Sequence, residues 1–350
     1  MEEVTQNGLF ITRRSKLPEC RDFVRIYRGV YLDSAIVPIT EDAPWKTRQT
    51  VTELRCEAVA MTRKSQDAVP IFTGEAALCL WGIDTWFSVP DLQAWRSDGE
   101  QIRWRCTLPE VSVHGVVVAS CKYNTLQGKR LGSEVYFKGG CLVVSPVEAV
   151  VDLARSGHPV QIIMAASAVL REMSDFTQFD QDGPRVEAAK VQQEMIALLQ
   201  AAPRLSRTAI AAVEAADPGC EGPGEAYLRW LLSCVTDISR VDTQRLIRVN
   251  GKEYYVDAAV RNSDCGWEFD GYGKVDKNSE SRGNFVNRQN ALTNAKAKMM
   301  RLSPADYVNP AVALQKVVDH LRDCGISVHP PTKCLYKSFP AHFFAYERRN

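Results

Sequence analysis

Apolar residues recur along this chain with two spacings, which predict both helices and strands. Residues 23–31 (FVRIYRGVY) alternate apolar and polar side chains, as is typical of a half-buried strand. Helical spacing follows over 46–65 and 73–81, whereas short apolar runs between 87 and 144, with alternation over 111–119, indicate strands. The first part of the chain is therefore predicted to be an α+β region.

Helical spacing dominates the middle of the chain. Helices are predicted over 146–155, 159–173 and 185–201. Two clusters of Gly, Pro and Asp, at 180–184 and 217–224, interrupt this pattern and mark candidate boundaries. Because 350 residues exceed what one ordinary hydrophobic core holds, we expect two or three domains.

A last α/β module is predicted beyond residue 224. Its elements are a helix at 225–233, strands near 244–249, 253–259 and 265–270, a helix near 284–298, a short apolar run at 299–302 and a helix at 310–323. The predicted fold class is therefore α/β in this module and α+β for the whole chain.

The charge of the chain is unevenly distributed. From Gly271 onward there are 13 Lys and Arg against 6 Asp and Glu, although the whole chain has a net charge of only +1. A basic segment suits an anionic partner such as nucleic acid, and a solvated basic face is an equally good alternative.

Eleven cysteines are scattered along the chain without a C-x-x-C pair, so the sequence shows no zinc signature. Their odd number and the acidic start at residues 1–3 (MEE) predict reduced thiols in a cytoplasmic protein. Apolar runs stay well short of the roughly 20 residues that a membrane span needs, so we expect no membrane contact.

Carboxylates interrupt two predicted strands of the last module. Asp257 ends the run Tyr-Tyr-Val, and Glu268 and Asp270 lie in and after the run Trp-Glu-Phe. A carboxylate in a core is costly unless it is paired or binds a metal, and Mg²⁺ prefers such oxygen ligands. We therefore expect Asp257, Glu268 and the upstream Glu225 to bind Mg²⁺, or Mn²⁺ in its place. The alternative is a surface hairpin that carries exposed charges.

Two further residues of this stretch have candidate roles. Asp270 is two positions after Glu268 and faces the same side of the strand, so it can supply another oxygen. Lys274 can orient or deprotonate an attacking water, or hold a phosphate. The predicted catalytic set is therefore Asp257, Glu268, Asp270 and Lys274.

Basic residues near the start are candidates for DNA binding. Arg25 and Arg28 lie among aromatic residues of the predicted strand, as in the wing of a small winged-helix DNA-binding domain, and Arg13 and Arg14 precede them. Too little chain lies in front for a complete helix-turn-helix, and an ordinary half-exposed strand is the alternative.

The last module resembles the PD-(D/E)XK nuclease fold in its very-short-patch-repair-like branch. The motifs are Glu225 within EGPGEAYLR (221–229), then Asp257, then Glu268-x-Asp270-Gly271 with a basic residue three positions later. The preceding region resembles the AbiEi antitoxins of type IV toxin–antitoxin systems. Its motifs are RGVY (28–31), FTGEAALCLWG (72–82) and VVSPVEAVVDLA (143–154).

The resemblance implies four regions along the chain: a degenerate winged-helix-like region (1–45), an AbiEi-like α+β domain (46–178), a helical connector (179–216) and a restriction-endonuclease-like αβββαβα domain (217–350). It also implies that Lys277 and Arg288 contact DNA or support the site, with a surface salt bridge as the alternative for Arg288. The chain departs from the nuclease pattern at Asp270, where a lysine is usual, and at Lys274, where a histidine is common in this branch.

These patterns lead to three functional hypotheses. The preferred one is a metal-dependent DNA endonuclease in phage defence or DNA repair, because the acids at Asp257 and Glu268 are retained. The second is a DNA-binding, antitoxin-like regulator with a catalytically silent nuclease fold. The third is a partner of a toxin or defence-system protein that needs neither metal nor DNA. Oligomeric state is left open by the sequence.

Overall fold

The computed structural model describes residues 2–4, 8–11, 22–39, 43–63, 68–83, 85, 89–203, 206–270, 292 and 296–338. The chain divides into two compact units, Met1–Leu153 and Ala154–Asn350. The described residues form eight α-helices and sixteen strands, so the prediction of a mixed, α+β protein is confirmed. The finer division at residues 45, 178 and 216 stays a prediction.

The first unit begins with a four-stranded antiparallel sheet in the order β1-β2-β4-β3. Its strands are β1 (Glu2–Val4), β2 (Leu9–Ile11), β3 (Phe23–Tyr27) and β4 (Val30–Asp33). The prediction of one continuous strand over 23–31 is wrong, because a turn at Arg28 and Gly29 separates β3 from β4. Gly29 has a φ of 72°, which an L side chain rarely adopts, so the glycine permits the turn. The winged-helix interpretation stays a prediction, since 12–21 lie outside the described residues.

A six-stranded mixed sheet, in the order β11-β12-β5-β6-β10-β7, forms the body of the first unit. Its strands are β5 (Pro70–Thr73), β6 (Leu92–Arg96), β7 (Arg105–Leu108), β10 (Cys121–Thr125), β11 (Tyr136–Lys138) and β12 (Cys141–Val143). The helices α1 (Pro44–Arg63), α2 (Gly74–Leu80) and α3 (Pro146–Ala154) accompany it. Buried Asp152 on α3 accepts hydrogen bonds from Thr73 Oγ1 at 2.8 Å and Trp95 Nε1 at 2.6 Å, which ties that helix to the sheet.

A small hairpin replaces another predicted strand. Residues 111–119 form β8 (Val111–Val113) and β9 (Val116–Val118), joined through His114 and Gly115 with φ angles of 49° and 79°. His114 Nε2 lies 2.9 Å from the carbonyl oxygen of Val37, so this ring has a structural partner. Alternation on both sides of the turn conceals the hairpin in the sequence.

The second unit starts with helices. They are α4 (Pro159–Ser174), α5 (Asp182–Gln200), α6 (Arg207–Ala215) and α7 (Pro223–Val235). The predicted interruption at 180–184 is shorter than expected, because α5 begins at Asp182 and includes Pro184 in its first turn. Backbone N–H groups there have no partner within the helix, so a proline is tolerated.

The segment between α6 and α7 is fixed by an ion cluster. Asp217 lies 3.1 Å from Arg185 Nη1 and 3.4 Å from Arg229 Nη2, and it accepts hydrogen bonds from Thr243 Oγ1 and the Gly219 N–H. Burial alone would raise the pKa of Asp217, but the two guanidinium groups and these hydrogen bonds outweigh it and lower the pKa. The predicted Gly- and Pro-rich boundary is thus an ordered connection.

A four-stranded sheet in the order β13-β14-β15-β16 carries the candidate site. Its strands are β13 (Val241–Val249), β14 (Lys252–Val260), β15 (Cys265–Phe269) and β16 (Lys298–Leu302), followed by α8 (Pro310–Asp323). The first three strands are antiparallel, and β15 and β16 are parallel. The predicted helix near 284–298 lies mostly outside the described residues, and its expected end is wrong because Lys298 begins β16.

Aromatic packing holds the helices of the second unit against this sheet. Trp230 of α7 and Trp267 of β15 are fully buried, and Phe269 stacks on Tyr307 at a ring-centroid distance of 5.3 Å. Burial of such rings contributes about 1.5–3 kcal/mol each. Among the described helices, none combines the length and the apolarity needed to cross a membrane.

Candidate functional site: a row of acids across three strands

Three charged residues lie side by side on neighbouring strands of the last sheet. Ala258 pairs with Trp267, and continuing this antiparallel register by one residue places Asp257 opposite Glu268. Glu268 in turn pairs with Arg301 on the parallel strand β16. Cross-strand neighbours project from the same face of a sheet, so Asp257, Glu268 and Arg301 form a row across β14, β15 and β16. We call these three residues the charged row.

Arg301 binds two carboxylates at once. Its Nη2 donates to Glu268 Oε2 at 2.8 Å, and its Nη1 donates to Asp270 Oδ1 at 2.7 Å and to Oδ2 at 2.8 Å. The Glu268 side chain is 6% exposed, whereas those of Arg301 and Asp270 are about a quarter exposed. Hydrogen bonds between ionised groups are roughly twice as strong as neutral ones. The guanidinium therefore holds both acids in fixed positions at the end of β15.

Asp257 is held by the backbone of the adjacent strand. Its Oδ2 accepts a hydrogen bond from the Phe269 N–H at 2.7 Å, and the residue is 8% exposed. The antiparallel ladder between β14 and β15 pairs Ala258 with Trp267 and Ala259 with Gly266, so this side chain satisfies a backbone donor just beyond those pairs. Asp257 and Glu268 are thus both buried and both oriented by specific hydrogen bonds.

Glu225 is connected to strand β13 through Gln244. Glu225 Oε2 accepts from the Glu221 N–H at 2.8 Å and from Gln244 Nε2 at 3.2 Å. Thr243 pairs with Ala258 and Arg245 with Val256, so Gln244 lies between these pairs, at the level of Asp257. Gln244 has a φ of 48°, which interrupts the regular alternation of β13 at this point. The side chain of Gln244 thus links the first turn of α7 to the sheet.

A close approach of α7 to β15 brings Glu225 to this part of the sheet. Gly224 lies against Phe269, and a Cβ at position 224 would lie 2.1 Å from Phe269 Cδ1. A side chain there is incompatible with the observed separation, so glycine permits the approach. Tyr227, one helical turn further on, donates to the carbonyl oxygen of Asp306 at 3.0 Å and fixes the helix.

The structure brings some of the predicted acids together and separates others. Glu268 and Asp270 share Arg301, and Asp257 lies opposite Glu268 across the strands. Among the described residues, however, Glu225, Asp257 and Glu268 do not place one carboxylate oxygen each within 4.8 Å of one another. Arg25 and Arg28 are exposed and lie on β3 and the turn after it, in the first unit. The other predicted residues, Arg13, Arg14, Lys274, Lys277 and Arg288, lie outside the described residues.

Sequence reasoning missed Arg301 and Gln244. Arg301 stands in the short run Lys-Met-Met-Arg-Leu, where a charge among apolar strand residues is the same signal that singled out Asp257 and Glu268. Gln244 gave no comparable signal, because its positive φ and its bond to Glu225 depend on the packing of α7.

The donor set determines what this site can bind. Carboxylate oxygens are the ligands that hard divalent cations prefer, and each carboxylate has about four lone-pair sites. The charged row therefore fits a Mg²⁺ or Mn²⁺ ion chemically, provided that Arg301 shares Glu268 or moves from it. No protein-family model, curated protein or solved structure matches the chain. Function is accordingly argued from the site itself.

Proposed function

We propose that this protein is a metal-dependent DNA endonuclease that hydrolyses phosphodiester bonds at the charged row. The observation that carries the proposal is the cross-strand placement of Asp257 and Glu268, both buried, with Asp270 beside them. Arg301 offsets the charge of Glu268 and Asp270, and a divalent ion held by Asp257 and Glu268 is the further cation that this proposal adds. The motif resemblance to the PD-(D/E)XK fold supports the same reaction. Phage defence and DNA repair, both in the cytoplasm, are the proposed settings.

Glu225, Asp257 and Glu268 would hold Mg²⁺ or Mn²⁺. When bound, such an ion supplies an activated water and offsets the negative charge that develops on the phosphate. The bond from the Phe269 N–H holds Asp257 in place, so little reorganisation of that carboxylate is needed. Gln244 does the same for Glu225. In this proposal Asp270 assists by holding Arg301.

Arg301 gives the site the positive charge that the nuclease pattern normally places two residues after the Glu. That position is Asp270 here, and Asp270 binds Arg301 through both of its carboxylate oxygens. A guanidinium is always protonated and has a planar fork that matches phosphate oxygens. We propose that Arg301 contacts the scissile phosphate. Lys274 remains the proposed base, and Lys277 and Arg288 remain proposed DNA contacts.

A second candidate function is favoured by the same arginine. Arg301 donates to Glu268 Oε2 and to both oxygens of Asp270, which are atoms that a metal ion would require. If this pairing persists when DNA is bound, the fold is catalytically silent and the protein is a DNA-binding, antitoxin-like regulator. In both the endonuclease and the regulator proposals, the DNA contacts of the first unit are Arg13, Arg14, Arg25 and Arg28. Of these, Arg25 and Arg28 lie among the described residues, and both are exposed.

The test is incubation of the purified full-length protein with supercoiled and linear DNA in the presence of Mg²⁺, Mn²⁺ or EDTA. The endonuclease proposal predicts nicked or linear plasmid with either metal and intact plasmid with EDTA. Intact DNA under all conditions, together with DNA binding that EDTA leaves unchanged, would contradict it in favour of the regulator.

Salt dependence separates both proposals from a function without DNA. Contacts to phosphates release counterions, so the logarithm of the affinity falls linearly with the logarithm of the salt concentration. Absence of salt-dependent DNA binding, together with intact DNA, would point to a toxin or defence-system protein as the partner.

A further inference from the structure

A second cluster of metal-binding residue types lies at the other end of β15. It consists of Cys265, His320 and Cys324, and we call it the thiol–imidazole cluster. One ligand atom from each residue lies within 4.8 Å of the others. Cys265 is the first residue of β15, and Glu268 follows three positions later, so the cluster and the charged row are roughly 10 Å apart along the strand at about 3.3 Å per residue.

The fold presents these three residues to one another. His320 is in the last turn of α8 and Cys324 follows the helix as its C-cap, four residues on, so both project from the same side of the helix. Cys265 is 1% exposed, whereas His320 and Cys324 are half-buried. The cluster therefore has a closed side at the sheet and an open side toward solvent.

Ring contacts orient the imidazole. His320 packs edge-on against Trp267 of the same strand as Cys265, with ring centroids 5.2 Å apart. Its Nε2 lies 3.2 Å from the Gly266 carbonyl oxygen, 3.1 Å from the Lys298 carbonyl oxygen and 3.9 Å from Cys324 Sγ. This nitrogen donates to the carbonyl groups of β15 and β16, and Cys324 Sγ lies beside it.

The separations are close to those of a tetrahedral zinc site. Zinc bonds of about 2.3 Å to sulfur and about 2.0–2.1 Å to nitrogen place neighbouring ligand atoms roughly 3.5–3.8 Å apart. The distance from Cys324 Sγ to His320 Nε2 is 3.9 Å, and the widest separation in the cluster is within 4.8 Å. Thiolates and an imidazole select a softer ion than the carboxylates of the charged row.

We propose that Cys265, His320 and Cys324 bind one Zn²⁺ ion, with a solvent molecule as the fourth ligand on the open side. On binding, the two thiols release their protons to solvent and the imidazole proton moves from Nε2 to Nδ1, so a bond from Nε2 to the ion replaces its donation to the two carbonyl groups. Zinc then links the start of β15 to the end of α8 and stabilises the sheet that carries the charged row. This site does not depend on the proposed nuclease activity, since neither Asp257 nor Glu268 takes part.

The sequence does not reveal this site, because its ligands are distant from one another along the chain. Only the spacing His320-x-x-x-Cys324 is local, and Cys265 lies on a strand 55 positions before His320. A zinc signature based on C-x-x-C pairs cannot detect such a set. Pairing of β15 with β16, and the position of α8 relative to β15, bring the third ligand into place.

The test uses the full-length protein, reduced and freed of metal, and titrated with Zn²⁺ and separately with Co²⁺. We expect one tightly bound ion per chain, a Zn²⁺-dependent rise in the unfolding temperature, and the visible ligand-field and thiolate charge-transfer absorption of tetrahedral Co²⁺. Cys324→Ser and His320→Gln should each weaken Zn²⁺ binding more than about 100-fold, since loss of supporting residues alone costs 10- to 100-fold. Both positions are half-buried, so these variants are expected to fold.

Cys334→Ser is the matched control, because Cys334 is also a half-buried thiol of the second unit and lies outside the cluster. It should bind zinc like the wild type. Equal zinc binding by the wild type, Cys324→Ser and His320→Gln would overturn the proposal, as would a reduced protein that binds no zinc. A third outcome would also overturn the zinc proposal: the protein is isolated with a Cys265–Cys324 disulfide, and it still binds no zinc after reduction. That outcome would assign the two cysteines to redox chemistry.

Discussion

Arg301 lies directly beside Glu268 on the neighbouring parallel strand, and its guanidinium bridges Glu268 to Asp270 at 2.7–2.8 Å. One cation thus neutralises two acids at the end of β15. This relationship has two consequences. It stabilises buried charge in the sheet, and it competes with a divalent ion for the same oxygen atoms.

Replacement of Arg301 by Ala should destabilise the protein by about 2–3 kcal/mol, because it leaves the buried Glu268 without this partner. Magnesium should recover part of that loss in the variant and raise its unfolding temperature more than that of the wild type, since an ion then meets no competing guanidinium. Chemical denaturation with and without Mg²⁺ measures both effects.

Arg322→Ala is the matched control for this variant. Arg322 pairs with Asp319 on the surface of α8, with side chains 62% and 57% exposed. Such pairs contribute about 0.5 kcal/mol or less, so this change should be nearly neutral and insensitive to Mg²⁺. Equal losses in the two arginine variants, with the same response to Mg²⁺, would show that Arg301 has no special role in the charged row.

Gly224→Ala should destabilise the protein by about 1–3 kcal/mol, because the added methyl group collides with Phe269 where α7 meets β15. The substitution displaces Glu225 together with the helix, so metal-dependent activity should fall as well. The helical Gly183 is the control, because an added Cβ there meets no atom of a neighbouring element within 4 Å. Gly183→Ala should change the free energy of unfolding by less than about 1 kcal/mol, since the helical preference of Ala is offset by crowding against the ring of Pro184. Thermal unfolding of both variants checks the difference in size.

Asp217 should make the stability of the second unit sensitive to acid. Its pKa is lowered in the folded protein because Arg229 and Arg185, with hydrogen bonds, outweigh the effect of burial. A group of this kind contributes stability above its unfolded pKa of about 3.9, and the contribution is lost as the pH falls through the lower, folded pKa. The free energy of unfolding should therefore decrease below about pH 4.

Asp217→Asn tests that assignment. The variant should be less stable at neutral pH, because Arg185 and Arg229 lose their anionic partner, and its stability should depend less steeply on pH below about 4. Urea unfolding at a series of pH values measures the slope. An unchanged slope would place the acid sensitivity at other carboxylates.

Much of the second unit could be predicted from the sequence. Helical spacing predicted the helix over 310–323, and α8 has these bounds. Charges at Asp257 and Glu268 inside apolar runs predicted a polar site between two strands, and the register places the two acids side by side. Local spacing was sufficient here because each signal lies within one element or one hairpin.

Features that depend on three-dimensional packing were not predictable. The strand expected near 244–249 starts earlier, at Val241. Polar residues at 242–244 hide its start in the sequence, and only the folded structure shows that Gln244 binds Glu225. The alternation of apolar residues continues through the turn at His114, so the sequence pattern does not reveal the positive φ angles that make the hairpin. Arg301 is 33 positions from Glu268, and only the parallel pairing of β15 with β16 makes them neighbours.

The most direct test of the charged row is the initial rate of Mg²⁺-dependent plasmid cleavage by Asp257→Asn and Glu268→Gln. Asn can still accept the Phe269 N–H through its amide oxygen, so Asp257→Asn removes charge with little structural change. The controls are Asp319→Asn and Glu253→Gln, whose side chains are exposed. We predict that the row variants lose at least about 100-fold in rate, equivalent to about 2.7 kcal/mol, while the controls cleave like the wild type. Cleavage by the row variants at the wild-type rate, or its absence in the wild type, would contradict the assignment of the charged row as a nuclease site.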